Sequence, residues 1–142
     1  MTYTFTIRGC HSGYGSKKAG DYCLPSLNQY ISAVGKNPQA GNRFKQYYKR
    51  IVIDAYRHDL KGYKAHKPVI MHYTFGEPIR TSNGKHRDLS NICSAAMKIV
   101  EDALQDCGCL EEDDREHVVG FTHKFVYVNE PFVEVALQEV EV

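Results

Sequence analysis

Two groups of acidic residues, each close to bases in the sequence, are the part of this chain best suited to chemistry. Asp88 follows three basic residues, at positions 85–87, and stands directly before a segment with helical periodicity. A second acidic run, at 111–114, comes about one helix later. Carboxylates that a chain reversal brings together can hold Mg²⁺, and such an ion can act on a phosphodiester. The pattern predicts a metal-dependent nuclease that uses Mg²⁺ or Mn²⁺.

Each acidic group also has a purely structural interpretation. Asp88 is a good helix N-cap, a role worth about 1 kcal/mol. Asp113 and Asp114 fit a solvated turn equally well. What favours a site is the combination of an acid before the helix, an acid after it, and Lys98 on the polar side of the helix between them.

Alternation of apolar and polar residues predicts four strands. They lie at Thr2–Arg8, Pro68–Phe75, Val118–Val128 and Phe132–Val140. We expect the second strand to be central in its sheet. The last two, joined around positions 129–131, are expected to form an antiparallel hairpin.

Two segments have the periodicity of amphipathic helices. The first runs from about Asn42 to Leu60, and the second from about Leu89 to Asp106. Gly108 is placed to terminate the second helix. The apolar residues of the first recur three or four apart, at Phe44, Tyr48, Ile51 and Ala55.

The order of these elements predicts a single domain over residues 1–142, of the α/β (α+β) class, in which helices pack against a small mixed β-sheet. Residues 10–36 are rich in Gly and Ser and are expected to form a long loop, with a short helix after Pro25. The chain has no apolar run of the ~20 residues that span a membrane, and its N-terminus lacks a signal-peptide pattern. A cytoplasmic protein with no membrane partner is therefore expected.

Charge is divided sharply along the chain. Residues 1–100 hold 16 Lys and Arg against 5 Asp and Glu, whereas 101–142 hold 2 against 12. The basic part could contact DNA phosphates, or it could be neutralised by the acidic part within the fold. The first helix is either a solvated face or a phosphate-contacting one. The residues predicted to contact DNA are Arg43, Lys45, Lys49, Arg50, Lys85, His86 and Arg87.

Five cysteines include the pair Cys107 and Cys109. Structural zinc sites usually space their cysteines by two to four residues and add a second ligand pair. Reduced thiols in a turn that ends the helix are therefore the better interpretation, with zinc as the alternative.

Several short motifs follow one another along nearly the full length of the chain. They are Pro25-Ser26-Leu27-Asn28, His86-Arg87-Asp88-Leu89-Ser90-Asn91, Ala95-Ala96-Met97-Lys98, Asp102-Ala103-Leu104, Cys107-Gly108-Cys109-Leu110, Glu112-Asp113-Asp114 and Pro131-Phe132-Val133-Glu134-Val135. In this order and spacing they resemble the RusA family of Holliday junction resolvases, which is common in prophages. No single motif is specific, but their arrangement is.

The resemblance implies a homodimer that binds branched DNA and makes paired nicks in four-way junctions with magnesium. A two-fold dimer would present one site to each opposed strand of the junction. By the same resemblance, Asp88 and one of Asp113 or Asp114 would hold the metal, and Lys98 would stabilise developing negative charge.

Two positions depart from the family pattern. Ser90 stands where the family has a second aspartate, so any contact with the metal would be through a hydroxyl or a water and would bring no charge. Many members carry the catalytic lysine where Ser94 stands here, and Lys98 lies one helical turn further. A non-catalytic protein that binds branched DNA is therefore the alternative function. An unrelated α/β interaction protein is a third.

Overall fold

The computed structural model describes residues 1–111 and 116–141. Their secondary structure follows the order β, α, α, β, α, β, β. The elements are β1 (Thr2–Arg8), α1 (Leu27–Lys36), α2 (Pro38–Leu60), β2 (Val69–Pro78), α3 (Leu89–Asp106), β3 (Val118–Val128) and β4 (Phe132–Glu139). The predicted α+β class with a small mixed sheet is confirmed.

The strands form one four-stranded sheet in the order β1-β4-β2-β3. β4 is antiparallel to both of its neighbours, and β3 is parallel to β2. The predicted hairpin of the last two strands is therefore wrong, because β4 lies between β1 and β2 and does not pair with β3. Burial explains the arrangement. Val133, Val135 and Leu137 of β4 are buried and belong in the middle of a sheet, whereas most of β3 is exposed.

A close contact fixes the position of β4 beside β2. Gly76 of β2 pairs with Phe132 of β4, and the Phe132 ring occupies the place where a side chain at position 76 would stand. A Cβ built on Gly76 would come within 2.3 Å of that ring. Glycine at position 76 therefore lets an aromatic residue begin β4 directly against the central strand.

The helices pack on one face of the sheet, and α2 contributes an apolar stripe to the core. Its buried residues include Phe44, Tyr48, Val52 and Tyr56. The prediction was correct for Phe44 and Tyr48. It was wrong for Ile51 and Ala55, which are only partly buried. A strict four-residue spacing over three turns shifts the buried side slightly around the helix.

The ends of the helices are set by local side chains. Asn37 caps α2 by accepting a hydrogen bond from the backbone N–H of Ala40 at 2.7 Å, and Pro38 occupies the first turn. The helix therefore starts four residues earlier than predicted. α3 has its predicted bounds, and Gly108 follows it with φ +82°.

The expected loop at 10–36 holds a helix in its second part, as predicted after Pro25. Ser26 and Gln29 form a reciprocal capping box at the start of α1, with bonds of 2.9 and 3.2 Å. Across the described ranges, the helices are too short or too polar to traverse a bilayer.

Candidate nucleic-acid and metal site

Asp88 occupies the N-cap position of α3, but its side chain does not cap the helix. The residue has extended backbone angles, φ −71° and ψ 146°, and its carbonyl accepts from the N–H groups of Asn91 and Ile92 at 3.0 and 3.1 Å. Its carboxylate is exposed and makes no capping hydrogen bond. Within the part of the chain that the structure describes, this carboxylate has neither a hydrogen-bond nor an ion-pair partner, so it is available to a ligand.

The residue next to it has a structural role. Arg87 donates to both carboxylate oxygens of Glu77, at 3.0 and 2.8 Å, and to the carbonyl of Leu24 at 2.8 Å. Its guanidinium also stacks on the ring of Tyr22, 3.8 Å from the centroid. Only 9% of the Arg87 side chain and 7% of the Glu77 side chain are exposed.

The prediction that Arg87 contacts DNA is therefore corrected, since a buried guanidinium with these partners cannot reach a phosphate. Instead, Arg87 ties the end of β2 to the loop before α1 and fixes the backbone that carries Asp88. The sequence held a signal for this pair. Glu77 continues the alternation of Tyr73 and Phe75, which places it on the buried face, and a buried carboxylate needs a partner.

The loop between β2 and α3 is held by hydrogen bonds within the loop and by hydrogen bonds to the segment before α1. The Ser82 hydroxyl donates to the carboxylate of Asp21 at 2.7 Å, and the Thr81 hydroxyl donates to the carbonyl of Lys85 at 2.7 Å. The ring of His86 lies 3.0 Å from the carbonyl of Ile79 through Nε2. The side chains of Lys85, His86 and Arg80 are exposed. An ordered loop thus presents basic side chains close in sequence to Asp88, and their contact with phosphate stays a prediction.

Ser90 is exposed in the first turn of α3. No acidic residue stands in that turn, so the carboxylate at the positive end of the helix dipole is that of Asp88 at the N-cap. Helix N-termini of this kind favour phosphate oxygens because their first N–H groups lack intrahelical partners. Ser90 and Asp88 therefore lie where a phosphate and a cation could both be bound.

Lys98 lies further along the helix than a shared site with Asp88 suggests. Ten residues separate the two, which corresponds to about 15 Å of helix rise. The ammonium group of Lys98 is 3.8 Å from the carboxylate of Asp102, one turn on, and its side chain is exposed. α3 by itself does not bring Lys98 beside Asp88.

The second acidic group of the predicted metal site, Asp113 and Asp114, lies outside the described residues. The segments on either side of it are described. Glu111 is 3.6 Å from His117, whose carbonyl accepts from the N–H of Val69 at the start of β2. Asp88 follows the opposite end of β2. The 18 residues of α3, which correspond to about 27 Å of helix rise, separate Asp88 from the segment that leads to Glu111. Over residues 1–111 and 116–141, three or more His, Cys, Asp or Glu do not gather in a way that could hold a metal.

The basic helix α2 has a continuous face of arginines. Arg43, Arg50 and Arg57 are seven residues apart, which places them on one side of the helix, and all three are exposed. They line an open groove of about 980 Å³ together with Tyr14 and Tyr47. Arg57 belongs to the basic face of this helix that the sequence predicts to be either solvated or phosphate-contacting.

The two lysines predicted beside these arginines have partners in the fold. Lys49 forms an ion pair with Asp106 at the end of α3, and only 13% of its side chain is exposed. The prediction that Lys49 contacts DNA is thus corrected, because its ammonium group joins two helices. The ammonium group of Lys45 lies 5.6 Å from the ring centroid of Tyr30, and this side chain is half-buried.

The cysteines have the character of packing residues. All five are free of disulfides. Burial raises the pKa of the Cys23 and Cys109 thiols to about 12 each, so both stay neutral at physiological pH. Neutral buried thiols are inert as nucleophiles.

No family model matches this chain, and no curated protein matches it either. The function is therefore argued from the site.

Proposed function

We propose that this protein is a metal-dependent, structure-selective endodeoxyribonuclease that acts on four-way DNA junctions as a homodimer. The observation that carries the proposal is the free carboxylate of Asp88 at the start of α3, directly after a loop with the exposed basic residues Arg80, Lys85 and His86. The alternative role of Asp88, as a helix-capping residue, requires a hydrogen bond that its side chain does not make. The resemblance to RusA-type resolvases supplies the substrate class.

The exposed groups divide into two phosphate-contacting surfaces. One is the loop with Arg80, Lys85 and His86, and the other is the arginine face of α2. Cations of this kind fix a duplex in position without reading its sequence. A branched substrate offers several helical arms, so two basic surfaces on one molecule suit it better than they suit a single straight duplex.

The described residues supply some of the oxygen ligands that a magnesium site needs. The Asp88 carboxylate is free and the Ser90 residue is exposed two positions on, and both offer the oxygen ligands that Mg²⁺ prefers. The proposal assigns the second carboxylate to Asp113 or Asp114 of the other copy in the homodimer, because within one chain the length of α3, about 27 Å, separates Asp88 from the segment that leads to Glu111. A bound Mg²⁺ would lower the pKa of a coordinated water and neutralise charge on the scissile phosphate. Asp88 would hold the ion, and the N-terminus of α3 would orient the phosphate.

The test is a nicking assay on a synthetic four-way junction and on a linear duplex of the same sequence. Each is incubated with Mg²⁺, with Mn²⁺ and with a chelator. Paired nicks confined to the junction, and lost with the chelator, are the expected result. Tight junction binding without nicks would establish the binding-only alternative, in which Ser90 marks a lost ligand. If the protein neither binds nor cuts the junction, both the nuclease function and the binding-only alternative are refuted.

A further inference from the structure

The outermost strand of the sheet is long, apolar and open along one edge. β3 covers 11 residues and pairs only with β2. In the described part of the chain, no strand pairs with its other edge. Edge strands in monomeric proteins are usually short, or are protected by charges, Pro or bulges. Between Val118 and Val128, β3 has a single lysine, Lys124, and no proline, and its one irregularity against β2 is the extra residue Val119 near its start.

One face of β3 continues the core surface of the sheet beyond the helices. Phe121 and Phe125 pair with Met71 and Phe75 of β2, which are fully buried under the helix layer. On β3 the same face is uncovered. The exposed fraction is 39% for Val119, 52% for Phe121, 42% for Phe125 and 52% for Tyr127. Because an aromatic side chain buries ~150–250 Å², this stripe exposes on the order of 300–400 Å².

The backbone of the same residues faces outwards. The N–H of Ile79, just after β2, donates to the carbonyl of Val128 at 2.9 Å. Backbone direction alternates along a regular strand, so counting back by two from Val128 assigns the even-numbered residues from Gly120 onwards to β2, on the regular side of the register shift at Val119. Phe121, His123 and Phe125 therefore direct their N–H and C=O groups to the open edge, and their side chains lie on the uncovered face.

The apolar pattern of β3 is self-complementary about its midpoint. An antiparallel copy that overlaps the regular part of the strand, from Gly120 to Val126, has its two-fold axis at His123. Phe121 then faces Phe125 of the other copy. The one lysine, Lys124, faces Thr122 and not a second lysine. A strand that pairs with itself across a two-fold axis requires this kind of self-matching pattern.

We infer that β3 is the interface at which two copies of this chain associate, by antiparallel β3–β3 pairing centred on His123 that joins their sheets into one of eight strands. The apolar stripe of each copy then packs against that of the other. β3 would thus be the interface of the homodimer in the proposed function, although the open edge and the apolar stripe of β3 do not depend on that function. The tests below measure association and register, so they stand or fail independently of nuclease activity.

The first test measures mass in solution. Light scattering with size exclusion at 1–100 µM should give twice the 16.2 kDa of one chain. F121K/F125K should run as a folded monomer, because both side chains are exposed in the single chain and their replacement leaves its core intact. V126K is the matched control. Val126 is 41% exposed but lies on the other face of β3, and this variant should remain dimeric.

The second test measures the register. Paired His123 residues would have Cα atoms about 5.5 Å apart, within disulfide range. In a chain with Cys10 and Cys107 changed to Ser, H123C should form an intermolecular disulfide under mild oxidation. T122C and K124C should not form one. In this register, each of these cysteines would lie two residues along the strand from the same cysteine of the other copy. A monomeric native chain, a dimer that survives F121K/F125K, or equal linking by all three cysteines would overturn the inference.

Discussion

Two adjacent residues, Arg87 and Asp88, have opposite relations to the fold. Arg87 is buried and satisfied by Glu77, Leu24 and Tyr22, whereas the carboxylate of Asp88 is exposed and lacks a partner in the described residues. Both were predicted to work at the same site. Arg87 now has the role of a positioning residue, because it holds the backbone from which Asp88 extends. The two residues therefore call for different experiments.

Asp88→Asn should abolish metal-dependent nicking and leave junction binding unchanged or tighter. The substitution removes a metal ligand and a negative charge that repels phosphate, and it disturbs no contact of the fold. Glu130→Gln is the control, since it removes an exposed carboxylate from the turn between β3 and β4. Nicking rates and gel-shift affinities are compared for both variants. Wild-type cutting by the Asp88 variant would show that the site assignment is wrong.

Arg87→Gln should lower the free energy of unfolding by about 3–5 kcal/mol, because it leaves the Glu77 carboxylate buried without its counter-ion. The double variant Glu77→Gln/Arg87→Gln should recover part of that loss. Arg80→Gln, which removes an exposed guanidinium from the same loop, should change stability by no more than ~0.5 kcal/mol. Urea unfolding monitored by circular dichroism gives all three values. If Arg87→Gln changed the free energy of unfolding only slightly, the structural role assigned to Arg87 would be wrong.

At the scale of elements, the position of β4 is the main difference between prediction and structure. The boundaries of the strands were predicted closely, but their neighbours were not. A short turn around residues 129–131 favours a hairpin locally. β4 is instead paired on both sides, which satisfies its backbone and buries its apolar face, whereas β3 is left at the edge. Tertiary burial outweighs the local preference.

Gly76→Ala tests this pairing. The new methyl group would collide with the Phe132 ring, and overpacking of this kind costs about 1–3 kcal/mol. Gly120→Ala is the matched control on the same face of the sheet, where the nearest atom to an added Cβ is 3.8 Å away. Its stability should stay close to that of the native chain, and Phe132→Leu should relieve part of the Gly76→Ala defect. Equal unfolding energies for the two alanine variants would contradict the observed register.

At the scale of the whole molecule, charge is arranged in surfaces that the net charge of +1 conceals. Part of the sequence division is neutralised within the fold, as the ion pair of Lys49 with Asp106 shows. Arg43, Arg50 and Arg57 have no carboxylate partner within salt-bridge distance among the described residues, and they form one exposed face. Neutralisation within the fold therefore applies to Lys49, whereas contact with phosphate stays a prediction for the three arginines.

The triple variant R43Q/R50Q/R57Q should bind a four-way junction more weakly and with a shallower salt dependence. Each phosphate contact contributes ~0.9 to the slope of log affinity against log salt, so the slope should fall by up to ~3. Lys64→Gln, an exposed cation in the connection between α2 and β2, is the control and should change the slope little. Binding is measured from 50 to 300 mM NaCl. An unchanged slope in the triple variant would exclude α2 as a DNA-contacting face.

The sequence alone determined the elements, since periodicity and caps act over a few residues. It specified β1, α3 and β3 to the residue, and it placed Asp88 at a helix start. The interior position predicted for β2 is also confirmed. Only the tertiary structure decided which strands are neighbours and which of the bases are buried. Those outcomes depend on contacts between residues far apart in the chain, such as Glu77 with Arg87 and Gly76 with Phe132. The free energy of such contacts exceeds the local conformational preference of the chain. A pattern within a short stretch of sequence therefore does not predict them.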